Sequence, residues 1–156
     1  MESRKLLLIV ALAAMVVIGT GCDWESCKGT AAGGGWIYGV DCESKATIGF
    51  VIQKDGRCAT GQVQYNDRSE CGVMFHGVVE SVEKVGFFSP TYWACGKATI
   101  MPGKQCVTFK ICVEDNGEPG DEDFVKVKLY KGRKCCYENE GCLHGGNVQI
   151  IEEDDD

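Results

Sequence analysis

From Trp36 onward, apolar and polar residues alternate in short runs with a period of two. The clearest run sets Val107, Phe109, Ile111 and Val113 against Cys106, Thr108, Lys110, Cys112 and Glu114. That period turns one set toward a packed face of a strand and the other away from it. Val125, Val127 and Leu129 repeat the pattern against Lys126, Lys128 and Tyr130. Residues 46–52 are rich in β-branched and aromatic side chains, and Asp55-Gly56 behind them is a hairpin signal. Residues 61–65 alternate. Val73, Phe75 and Val78-Val79 mark one or two strands, and residues 82–88 another. Residues 92–101 follow Pro90, Pro102-Gly103 turns the chain, Cys135-Cys136-Tyr137 starts a short strand, and Val148, Ile150 and Ile151 close the series. About nine short strands, with turn signals roughly every 8–12 residues, predict an all-β fold, a single antiparallel β-sandwich of jelly-roll-like form.

The N-terminal run has a different character. Arg4 and Lys5 precede residues 6–18, which carry no polar side chain, and small residues follow up to Cys22. A basic start, an apolar stretch and small residues before a processing point make a signal peptide over residues 1–21. The apolar stretch is about 13 residues, against the roughly 20 that a bilayer span requires. Ile18-Gly19-Thr20-Gly21-Cys22 resembles a bacterial lipoprotein signal, with Gly19 standing where an aliphatic residue is commoner. The resemblance implies a lipid on Cys22, which would become the first mature residue. Plain cleavage after Gly21 and an uncleaved signal anchor are the alternatives.

Cysteine count bears on this reading. The chain has 11 cysteines. Lipid on Cys22 leaves an even set: Cys27, Cys42, Cys58, Cys71, Cys95, Cys106, Cys112, Cys135, Cys136 and Cys142. In an oxidising compartment these are expected to close up to five bridges and staple the sandwich. Residues 22–35, polar and then glycine-rich, are predicted to be a lipid-anchored linker, and residues 36–151 the sandwich domain. Residues 152–156 form an acidic tail.

The formal net charge is −7. An acidic chain with no basic patch argues against nucleic acid as a partner. Cys-x-x-Cys is absent and only two histidines occur, so neither a zinc site nor covalent haem is indicated. No Gly-x-Ser-x-Gly elbow accompanies the serines.

Gly33-Gly34-Gly35-Trp36-Ile37, then residues 45–51, resemble the opening of the post-COAP domain family. Residues 113–120, followed by Asp123-Phe124, are similar to its distinctive acidic loop, and residues 145–150 to its terminal strand. The resemblance implies an extracellular β module and brings no catalytic residues with it. This chain departs from the family in its density of cysteine.

That acidic loop is the main functional candidate. Asp115, Asn116, Glu118, Asp121 and Asp123 offer the oxygens that Ca²⁺ takes in extracellular modules, although their spacing is not that of an EF-hand. The bland alternative is a solvated turn on Asn116-Gly117 and Pro119-Gly120. Trp36, Tyr38, Tyr65, Tyr92 and Trp93 are candidates for a carbohydrate platform, with at least half expected in the core. The expected protein is therefore an exported, lipid-anchored structural or binding module of the cell envelope without catalytic activity. Its expected partners are the membrane and an envelope protein or glycan, and its only candidate cofactor is Ca²⁺. A Ca²⁺-dependent ligand-binding module and a small secreted hydrolase are the other readings.

Overall fold

The structure, a computed structural model, describes residues 28–85 and 90–153. Cys22, Cys27, the signal-like run and residues 154–156 lie outside the described residues. The fold is all-β and antiparallel: β1 (Lys28–Tyr38), β2 (Lys45–Asp55), β3 (Cys58–Asp67), β4 (Met74–Val85), β5 (Thr91–Met101), β6 (Gln105–Glu114), β7 (Phe124–Lys131), β8 (Lys134–Cys142) and β9 (Gly145–Glu153).

These strands form one curled sheet in the order β8-β7-β6-β5-β4-β3-β2-β1-β9. The architecture is a half-barrel of one continuous sheet, where the alternation had predicted two stacked sheets. Short connections decide this. Gly56-Arg57 and Gly132-Arg133 are each too short to carry the chain to another layer, and from β2 to β8 each strand pairs with the one before it. The alternation itself is as read: Val107, Phe109, Ile111, Val113, Val125, Val127 and Leu129 all line the concave side.

Residues 28–35 are not a linker, because they lie in β1. Gly33, Gly34 and Gly35 belong there because neighbouring backbone runs against them: a Cβ on Gly34 would lie 2.8 Å from the Ile48 carbonyl oxygen. Glu152 and Glu153 likewise end β9 rather than begin a tail, and Glu152 pairs with Lys84 at 2.5 Å.

Residues 134–153 seal the curl. The run hydrogen-bonds to β7 through Leu143 N–H, which donates to the Asp123 carbonyl, and then changes partner. His144 N–H donates to the Trp36 carbonyl, and β9 continues along β1. One bent run therefore serves both margins of the sheet, with Gly146 at φ 113° in the bend. The concave side is filled by Tyr65, Phe75, Phe109, Ile37, Ile52 and their neighbours.

Candidate functional site

With the concave side packed, chemistry falls to the outer wall. Register fixes which residues meet there. One outward row runs Trp36, Thr47, Asn66, Met74, Met101 across β1 to β5, each a Cα partner of the next. The row beside it runs Gly34, Gly49, Gln64, His76, Thr99, Cys106. Between them a groove of about 470 Å³ opens over β2 to β5. Thr47, Gln64, Asn66, Met74, His76 and Met101 supply its outward side chains. A Cβ on Gly49 would meet nothing within 4 Å, so this glycine leaves the wall bare where a side chain would fill the groove. His76 is the one histidine lining it.

A buried polar relay braces the strand ends nearby. Asn139 Nδ2 donates to the Tyr65 hydroxyl at 2.8 Å, the Tyr65 and Tyr137 hydroxyls lie 2.7 Å apart, and Tyr137 donates to Asp67 Oδ2 at 2.7 Å. Asp67 also accepts from Val40 N–H and from the backbone and hydroxyl of Ser69. Burial pushes the Asp67 carboxyl up, but the bonds from Ser69, Tyr137 and Val40 outweigh it and hold the group below its ordinary value. Burial raises both phenols, with Tyr137 further raised by Tyr65 and Asp67. Every polar atom named here already has a protein partner, so the relay reads as a brace joining the β1–β2 loop, β3 and β8.

The structure brings the acidic-loop residues together for backbone work. Asp123, fully buried, accepts from Asn116 N–H at 2.8 Å through Oδ1 and from Val148 N–H at 2.6 Å through Oδ2. Asp115 accepts from Gly117 N–H at 3.1 Å and from Ile150 N–H at 3.0 Å. Glu118 accepts from Asn147 Nδ2, and Asn116 Nδ2 donates to the Glu122 carbonyl. Asp121 is exposed beside them. These carboxylates satisfy the outer N–H groups of β9. Among the described residues no group of three or more His, Cys, Asp or Glu is placed to hold a metal ion.

The cysteines do not converge either. Cys42, Cys58, Cys71, Cys95, Cys106, Cys112, Cys135, Cys136 and Cys142 are free thiols, and no two are strand partners. None of the predicted staples is seen among the described residues. Cys112 alone is buried, and burial together with the Glu114 carboxylate pushes its thiol up to about 12. The five aromatic candidates also separate. Tyr65 and Tyr92 are core, whereas Trp36 and Tyr38 meet His144 with ring centroids 5.0 and 4.7 Å from the imidazole. Lys45 Nζ stands 4.2 Å from the Trp36 ring centroid and Lys110 Nζ 4.5 Å from that of Trp93. Sequence reasoning missed the groove, because its residues come from four strands and only register unites them.

No family profile, curated protein or solved structure matches this chain.

Proposed function

We propose that the chain is an exported module of the cell envelope, anchored by lipid at Cys22, that binds an envelope glycan on its outer wall and performs no catalysis. One observation carries the binding part of this reading. The concave side is packed with large side chains, while the groove at Gly49 is open and lined by amides, a hydroxyl and thioethers. Gln64 and Asn66 can both donate and accept, as a hydroxyl-rich chain requires, and no Asp, Glu, Lys or Arg lines the groove. The Arg4-Lys5 start, the apolar stretch and Cys22 support export and anchoring. Since β1 begins at Lys28, the tether from Cys22 spans at most roughly 20 Å, which holds the module against the membrane surface. Among the bridges anticipated from the cysteine count, Cys42 with Cys71 is the one favoured by loop contacts. The loops that carry them meet through Val40, Asp67 and Ser69.

The anchor is tested by intact mass of membrane-extracted protein, where a chain starting at acylated Cys22 is expected and an unmodified chain rejects it. Glycan binding is tested by co-sedimentation of the detergent-solubilised full chain with insoluble cell-wall polysaccharide. Gly49→Trp should weaken retention by at least about tenfold with melting unchanged. Equal retention of a folded Gly49→Trp, or none by the unaltered chain, rejects the glycan reading.

A further inference from the structure

Four methionines occur in the whole chain. Met1 and Met15 lie in the signal-like run, and the other two are Met74 and Met101. The fold makes that pair direct Cα partners across β4 and β5. Both face outward, 43% and 38% exposed, and on β3 the Cα partner of Met74 is Asn66. His76, two residues from Met74 and on the same face, lines the same groove. Its imidazole makes no hydrogen bond or ion pair with the described residues.

We propose that Met74, Met101 and His76 form a binding site for a soft monovalent metal ion, copper(I) in the cell and silver(I) as its redox-inert equivalent. Side chains directly opposite in an antiparallel pair have Cβ atoms about 5 Å apart, and residues i and i+2 stand about 6.8 Å apart along the strand. Each methionine has three rotatable bonds and a polarizable sulfur, so two thioethers and one imidazole can close on one point above the wall. Donor chemistry selects the ion. Thioether is a soft ligand that favours copper(I), imidazole suits copper, and no carboxylate lines the groove to attract calcium, magnesium or manganese. A packing role explains the pair poorly, since neither methionine is buried. The site shares the groove with the proposed glycan surface but does not rest on that reading.

The test uses the full chain carrying [methyl-¹³C]methionine, with exposed thiols alkylated so that they cannot compete, titrated with silver nitrate in chloride-free buffer. The methyl signals of Met74 and Met101, assigned through Met74→Leu and Met101→Leu, should move together with the His76 ring. They should saturate at one equivalent while the His144 ring stays still. Either leucine variant should weaken binding by at least about tenfold. His76→Phe should do the same without changing the melting temperature. Unmoved methyls, methyls that titrate independently, or a Met74→Leu variant that binds as before would overturn the site. Loss of silver binding with glycan retention intact would sink the metal site alone, and the reverse would sink the glycan reading alone.

Discussion

Asp123 Oδ2 accepts a hydrogen bond of 2.6 Å from the backbone N–H of Val148, tying the loop between β6 and β7 to the outer margin of β9. The same carboxylate holds Asn116 N–H through its other oxygen, and the residue is fully buried. Asp123→Ala would leave two backbone donors unsatisfied, so it should cost about 3 kcal/mol of stability in chemical denaturation. Since the oxygens of Asp115 and Asp123 are engaged by N–H groups, melting curves with calcium and with chelator should coincide. A calcium-dependent rise in melting temperature would return these residues to metal binding.

The brace around Asp67 gives a pH dependence with a definite sign. Its carboxyl sits below the ordinary value in the folded state, so folding favours the ionised form. The resulting stability is fully present above the unfolded value of about 3.9 and is lost as pH falls through the lower folded value. Melting temperature should therefore drop on acidification below about pH 4, while near neutrality the contribution is complete and no longer varies with pH. Asp67→Asn should flatten that acid limb, at a cost of about 3 kcal/mol at pH 7 from the buried donors it mismatches.

Gly77 and Phe109 are complementary in shape. A Cβ on Gly77 would stand 2.7 Å from Phe109 Cε1, inside contact distance of a fully packed ring. Gly77→Ala should destabilise by about 2 kcal/mol through overpacking. In the background of Phe109→Leu its cost should shrink, and a double-mutant cycle in urea measures the coupling.

Thiol chemistry should separate Cys112 from the rest. The thiolate is the reactive species, and burial with Glu114 beside it pushes this thiol up to about 12. In reduced, folded protein near pH 8, iodoacetamide should modify the seven exposed cysteines first, with Cys112 reacting only on unfolding. Peptide mass spectrometry over a time course reads the order. Early modification of Cys112 would mean that β6 opens locally.

Much of the fold was legible because the inward residues of β6 and β7 obey a strict alternation that only a one-sided sheet requires. Asp55-Gly56 and Pro102-Gly103 also fall where the chain turns. The sandwich expectation failed because alternation reports a packed face without saying whether another sheet or the curl of the same one covers it. β1 was hidden by its glycines, whose need for close backbone neighbours looks like flexibility in a sequence. The acidic residues announced a loop, but their partners, the N–H groups of Val148 and Ile150, lie far along the chain. The groove was illegible for a similar reason. Met74 and Met101 are separate residues until β4 and β5 pair.

The run that serves both sheet margins also sets the order of assembly. β1 and β9 are the first and last strands, and Lys28 is the partner of Glu153. In the growing chain β1 has one side unsatisfied until β9 follows. The hairpins from β2 to β8 can zip in sequence as they emerge, since each needs only its neighbour. Closure is the one non-local step, and it carries the largest loop entropy in the molecule. A chain stopped short of residues 145–153 would leave the glycine-rich β1 as a bare sheet edge, open to pairing with another chain.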